Sequence, residues 1–154
     1  MYVAYKGYKD IVKLLIKNGA DVNTKKRHDV TALMFATEKG HTDIVKLLLE
    51  NGADVNIRNK YDSTPLMYAA SKGYTNIVKL LIENGADVDV KNSYGDTALM
   101  YAASKGHLNI IRMLLENGAT VAARTKSGYT ALMLAEKYDN VQIAMLLRSA
   151  GAKE

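Results

Sequence analysis

Apolar residues recur along the chain in two alternating kinds of helical stripe. In one stretch, Leu66, Ala69 and Ala70 mark a single face, and the small alanines allow close helix–helix approach. A second stretch, Asn76-Ile77-Val78-Lys79-Leu80-Leu81-Ile82-Glu83, predicts another helix with larger apolar side chains. Thr64 precedes the first stripe as an N-cap, because its hydroxyl can accept from an orphan N–H of the first turn. Pro65 follows at the first helical position, where it lacks only an N–H that would be unpaired anyway. Gly73 stops this helix, since glycine adopts the left-handed conformation without steric cost, and Asn84-Gly85 closes the second in the same way. Between Gly85 and Thr97 the chain turns polar and extended, with Tyr94-Gly95-Asp96 as a turn signal. The predicted unit is a helix–turn–helix with a projecting loop.

This unit repeats. Thr31-Ala32-Leu33-Met34, Thr64-Pro65-Leu66-Met67, Thr97-Ala98-Leu99-Met100 and Thr130-Ala131-Leu132-Met133 stand 33 residues apart without insertion. Asn18-Gly19-Ala20-Asp21-Val22-Asn23 returns at Asn51, at Asn84 and, weakly, at Asn117 with the same period. Full units run 31–63, 64–96 and 97–129, with a partial repeat at 1–30 and a partial C-terminal capping repeat at 130–154. A period of this size means a stacked array, because one unit cannot bury its own apolar face. The expected organisation is a single repeat domain over residues 1–154.

Composition narrows the classes. At 154 residues and 48% hydrophobic content the chain can bury one sizeable core, and a single Pro argues against a linker. Without Cys, disulfides, thiol catalysis and Cys-based zinc sites are excluded, which fits a reducing compartment. No apolar run is long enough to span a membrane, and the start lacks a signal-peptide layout. An intracellular location, cytoplasmic or nuclear, is the expectation.

The motifs Ser63-Thr64-Pro65-Leu66-Met67-Tyr68-Ala69-Ala70, Gly73-Tyr74, Ile77-Val78, Leu80-Leu81 and Gly85-Ala86-Asp87-Val88-Asp89 resemble the ankyrin-repeat pattern, and the resemblance covers essentially the whole chain. It implies an all-α repeat fold, an α-solenoid of helix–turn–helix units joined by β-hairpin-like loops, with a concave face used for protein recognition. The resemblance also implies that Asn23 and Asn56 fit the position that asparaginyl hydroxylases modify in some ankyrin repeats, from which Asp89 and Ala122 depart. The family's His after Thr-Pro-Leu, which usually bonds hairpin backbone, is Met34, Met67, Met100 and Met133 here. Asp29 and Asp62 stand where a turn glycine is usual, while Gly95 and Gly128 conform; Asp tolerates the left-handed turn better than most residues. The family's late hairpin Asp is replaced by Lys26, Asn59, Asn92 and Thr125, removing negative charge from one edge.

The two ends are unequal. The first unit starts inside its first helix, with no N-cap Thr, and its outer surface is read as carrying Tyr2, Tyr5 and Tyr8 beside Lys6, Lys9 and Lys13. Either these cap the stack, or the array is cut from a longer one. At the other end Arg148 replaces the Leu49, Ile82 and Leu115 type, as a polar terminus requires.

Catalytic constellations are not found. His41 and His107 sit at the inter-helix turn two units apart and cannot share a metal ion. Asp21, Asp54 and Asp87 recur at one register and read as hairpin-base hydrogen-bonders, and the Met column reads as core filling. No catalytic residue, metal or cofactor is expected.

One surface signal remains. Positive charge falls in columns one period apart: Lys25, Arg58, Lys91 and Arg124; Arg27, Lys60, Ser93 and Lys126, broken at Ser93; Lys39, Lys72, Lys105 and Tyr138, broken at Tyr138. His28, Tyr61, Tyr94 and Tyr129 accompany them, and the acids counted nearby are Glu38 and Asp96. The second helices instead mix both signs, as at Lys79 and Glu83, like a solvated outer face. The formal charge of +5 is thus concentrated on the face that the resemblance assigns to binding. The leading expectation is a monomeric, non-enzymatic scaffold that binds an acidic protein through the concave groove and hairpin tips. The alternatives are nucleic-acid binding through the same basic face, which is the weaker for want of a recognition helix, and an engineered or truncated scaffold with no natural partner of its own. No membrane role is expected.

Overall fold

The computed structural model describes residues 1–152. Among these the chain forms ten α-helices and one short 3-10 turn, and no β-strand. An inner row is made of α1 (Tyr2–Lys6), α3 (Ala32–Glu38), α5 (Pro65–Lys72), α7 (Ala98–Lys105) and α9 (Ala131–Lys137). An outer row is made of α2 (Lys9–Lys17), α4 (Thr42–Glu50), α6 (Thr75–Glu83), α8 (Leu108–Glu116) and α10 (Val141–Ser149). Each inner helix packs on its own outer helix and on the inner helix of the next unit, and the outer helices pack in the same succession.

The Thr residues start the inner helices as the sequence predicts. Thr31, Thr64, Thr97 and Thr130 accept, through their hydroxyls, from the N–H of Met34, Met67, Met100 and Met133. Helix α1 has no such cap, having Met1 before it. The core lies between the rows: Leu33, Leu66 and Leu99 from the inner helices meet Ile44, Ile77, Ile110, Leu48, Leu81 and Leu114 from the outer ones, all at most 2% exposed. Met34, Met67 and Met100 are buried, the core-filling role expected of that column, whereas Met133 is half-buried.

Neighbouring units are held in register by two polar seams. In the first, the outer-helix ends approach the next unit. Asn23 donates to the Gly52 carbonyl at 2.9 Å and accepts from the Asp54 N–H at 2.8 Å, and Asn56 repeats this with Gly85 and Asp87. Asp21, Asp54 and Asp87 each accept from the N–H two residues on at 2.9 Å, which is the hydrogen-bonding role read from the sequence. In the second seam, the residue after each helix-ending glycine lies over the glycine of the unit before. The His107 ring nitrogen is 3.3 Å from the Ser71 carbonyl, and a Cβ on Gly73, which sits at φ 78°, would come within 2.6 Å of that ring. His41 meets the Tyr5 carbonyl at 3.0 Å in the same way. The histidines are therefore packing groups between units.

The loops differ from full hairpins. Loop 59–63 is a tight turn closed by the Asn59 N–H to the Ser63 carbonyl at 3.1 Å, and its strands are too short to form a ladder of their own. Asp29 and Asp62 adopt φ 59° and 58°, so Asp does take the place of the turn glycine, and His28 joins Asp29 at φ 66°.

The first unit also corrects one expectation. Tyr2 and Tyr8 are exposed, but Tyr5 turns toward the second unit, with its ring edge-on to Phe35 at 5.8 Å and the Lys39 ammonium 4.5 Å from its centre. At the far end, Arg148 pairs with Glu136, but Val141 and Met145 of α10 are 65% and 64% exposed, so the polar face expected there is mixed.

Candidate functional site

Polar extended segments between helix pairs place the loop tips side by side, because each tip bonds backbone of the one before. Lys60 N–H donates to His28 carbonyl at 3.0 Å, Ser93 N–H to Tyr61 at 2.9 Å, and Lys126 N–H to Tyr94 at 2.9 Å. These bonds join the four tips into a continuous strip through His28, Lys60 and Tyr61, Ser93 and Tyr94, and Lys126. The His28 and Tyr61 rings lie 6.4 Å apart. Partial desolvation, then the positive charges of Lys60 and Arg27, hold the His28 imidazolium below the usual histidine range.

All fourteen residues singled out by sequence are solvent-exposed: Lys25, Arg27, His28, Lys39, Arg58, Lys60, Tyr61, Lys72, Lys91, Tyr94, Lys105, Arg124, Lys126 and Tyr129. They do not form one cluster. Lys39, Lys72 and Lys105 sit at the far ends of the inner helices from the loops. Eight residues separate Thr64 from Lys72, about 12 Å at the helical rise. Two basic rows thus run along the stack, one on the loop tips and one at the inner-helix ends. Tyr129 belongs to neither tip nor end. It stands at the base of its turn, where its carbonyl accepts from the Thr125 N–H at 2.9 Å, and its ring faces the Lys137 ammonium at 5.1 Å.

Between the rows lies a feature that charge columns do not reveal. Phe35, Tyr68, Tyr101 and Leu134 are half-buried, one on each of α3, α5, α7 and α9, and form an aromatic and aliphatic floor. Tyr68 and Tyr101, with Ser63, Met67 and Ser71, line a cavity of about 110 Å³. The signal was present in the sequence, as a column four residues after each capping Thr. Burial, foremost, raises the phenol pKa of both tyrosines, and the Asp96 carboxylate adds to this at Tyr101.

The floor is locked to the loops by buried asparagines. Asn59 accepts from the N–H groups of Tyr61 and Ser63 at 2.8 and 3.0 Å, and Asn92 accepts from those of Tyr94 and Asp96 at 2.9 Å. Their amides donate to Tyr68 and Tyr101 hydroxyls at 2.9 and 3.0 Å. The replacement of Asp by Asn therefore does more than remove charge, since only the amide offers these donors. It also supplies a loop closure in units whose Met column cannot donate.

The charge balance is finer than the sequence count of acids. Asp62 is a further acid on this face, 4.0 Å from Arg58, and it accepts from the Ser93 hydroxyl at 2.8 Å. Glu38 pairs with Lys39 at 3.7 Å, and Asp96 turns inward to Tyr101 at 3.3 Å. Lys91 reaches the Arg124 carbonyl at 3.4 Å, and Arg124 donates to the Gly128 carbonyl at 2.8 Å. Among the described residues, Lys60, Lys72, Lys91, Lys105 and Lys126 form no salt bridge.

Among the described residues no three His, Asp or Glu side chains converge on a metal position. No helix is long and apolar enough to cross a membrane among them. The arrangement is one of recognition: exposed ammonium groups on either side of an aromatic floor, held on rigid helices.

No curated protein matches the chain in sequence. The family profile described as ankyrin repeats (3 copies) matches residues 1–92 and 85–154. With that match over its length, an all-helical stack of the same period and polar seams at every junction, the chain belongs to the ankyrin-repeat family.

Proposed function

We propose that this chain is a non-enzymatic scaffold that holds an acidic protein partner against the basic rows and the floor between them. Ankyrin repeats generally mediate protein–protein interaction, and the family is typically non-enzymatic. The observation that carries the acidic partner is that Lys60, Lys72, Lys91, Lys105 and Lys126, on both sides of Phe35, Tyr68 and Tyr101, form no salt bridge among the described residues, while Asp62, Glu38 and Asp96 are engaged within the chain. Carboxylates of a partner would meet ammonium groups that no carboxylate of the chain holds, with exposed Asp29 beside His28 the acid they compete with on the first tip. Tyr61 and Tyr94, 44% and 60% exposed, add contact area at low entropy cost. Long-range attraction would speed encounter and make it sensitive to salt.

The test is capture from host lysate at low and moderate salt, followed by affinity measurement on the captured protein. Since Asp62 already draws on Arg58, the better residues to reverse are Lys60 and Lys91. Lys60→Glu/Lys91→Glu is expected to weaken binding by more than about tenfold and to flatten its salt dependence. Equal affinity for wild type and variant would overturn the assignment of the face. Tight binding of single-stranded oligonucleotides with a steep salt slope would replace the protein partner by nucleic acid.

A further inference from the structure

The junction between the inner helices α5 and α7 differs from those on either side. Phe35, Tyr68, Tyr101 and Leu134 share one register, and among the described residues only α5–α7 has a tyrosine on both sides of the junction at that register. Lys72 and Lys105 stand four residues after Tyr68 and Tyr101, one turn on along the same helix face. Neither lysine forms a salt bridge among the described residues. In the unit before, Lys39 is held by Glu38 at 3.7 Å, and in the unit after, Tyr138 replaces the lysine. Two phenols and two uncommitted ammonium groups thus meet at one place in the stack.

The cavity of about 110 Å³ lies at this junction, lined by Ser63, Met67, Tyr68, Ser71 and Tyr101. Met67, which is 2% exposed, and the two half-buried tyrosines give it apolar walls. It is smaller than the roughly 150 Å³ in which a benzene ring fits, so a branched aliphatic side chain matches it better than an aromatic one. The hydroxyls around it are not spent alike. Tyr101 donates to Asp96 at 3.3 Å, and Ser104 donates to the Tyr101 carbonyl at 3.0 Å. Tyr68 accepts from Asn59 at 2.9 Å, but among the described residues neither its own proton nor that of Ser71, at the register of Ser104, has an acceptor. Such donors suit the backbone carbonyls of an extended peptide. The acids counted on this face are occupied, Glu38 by Lys39 and Asp96 by Tyr101 and Asn92.

We infer that the acidic partner docks as an extended segment, which seats one branched aliphatic side chain between Tyr68 and Tyr101 and lays carboxylates against Lys72 and Lys105. This rests on the reading of the basic rows as a site for an acidic protein, and gives that site an anchor and a register. Burial of the anchor supplies affinity that salt does not screen, while the two lysines select for acids beside it. The Tyr68 and Ser71 hydroxyls donate to the backbone of the segment. Recognition is centred on the units 64–96 and 97–129, and the end units extend it.

Fluorescence anisotropy of labelled synthetic peptides against the full chain tests this. The first peptide alternates glutamate and glycine around one central leucine. In the second, alanine replaces the leucine, and in the third, lysine replaces every glutamate. At low salt the leucine peptide is expected to bind more than about tenfold tighter than the alanine peptide, which has three fewer carbons to bury, and the lysine peptide to bind weakest. Ser71→Leu, which fills the cavity, is expected to remove the advantage of leucine over alanine. With the methionine methyl groups isotopically labelled, the Met67 resonance is expected to shift on saturation with the leucine peptide, and to shift more than that of Met34. Acidic peptides that bind equally well with and without leucine, or an unmoved Met67 resonance at saturation, would overturn the anchor while the reading of the basic rows stands. Failure of both acidic peptides to bind would overturn the docking of an extended segment. A lysine peptide that binds as tightly as its glutamate counterpart would overturn the acidic partner itself.

Discussion

The side-chain amide of Asn59 donates to the hydroxyl of Tyr68 at 2.9 Å, joining the loop of one unit to the floor of the groove. Asn59 is 6% exposed, and its carbonyl oxygen is already taken by two backbone N–H groups. Removing the hydroxyl leaves a buried donor without a partner, so Tyr68→Phe is expected to cost about 1–3 kcal/mol of stability. The matching change one unit on should cost less. The Asn92 amide has a second acceptor in Asp96 at 3.4 Å, so Tyr101→Phe does not strand it. Denaturant midpoints of the two variants decide this, and an equal loss at both would contradict the role given to Asp96.

A quasi-one-dimensional stack loses more from a central cavity than from an end. Leu81 is fully buried between units, and Leu15, at the same register in the first unit, is 45% exposed. Leu81→Ala is expected to cost about 2–5 kcal/mol, as buried leucine deletions do. Leu15→Ala should cost clearly less, because much of its surface is in water already and ends fray first. Urea titration of both variants at low concentration checks the order, which equal losses would refute.

Stability should fall on the alkaline side. Burial, and then Asp96, raise the Tyr101 phenol above the usual tyrosine value, and burial does the same for Tyr68. The folded state then holds phenolic protons that the unfolded chain has already released. The contribution is fully present below the unfolded value of about 10 and is lost as pH rises through the higher folded one. Unfolding midpoints measured across that range should decline, and Tyr101→Phe should decline less steeply. A slope unchanged by Tyr101→Phe would show that this phenol is not responsible.

Repeat register, helix pairs, capping threonines and the core face of Leu66 and Leu81 were legible because each depends on local spacing and on residue type. The basic columns were legible for the same reason. What charge each one keeps was not, since Asp62 serves Arg58 across one turn and Ser93 across a unit boundary. The floor of Phe35, Tyr68 and Tyr101 was overlooked although its register is regular, because a half-buried aromatic column looks like core until the loops are placed. Tyr129 was grouped with Tyr61 and Tyr94 by type, and the turn puts it at the base.

By itself the sequence determined the family, the period and the order of helices, because short-range preferences repeated in strict register leave a stack as the way to bury the apolar stripes. Tertiary structure decided which polar atoms remain unpaired. Whether Asn59 merely removes charge or ties Tyr68 to a loop, whether Tyr5 faces water or Phe35, and whether Ile11 and Leu15 lie inside or at a boundary depend on what stands opposite each side chain. That is set by contacts between residues about one period apart, which no local pattern contains.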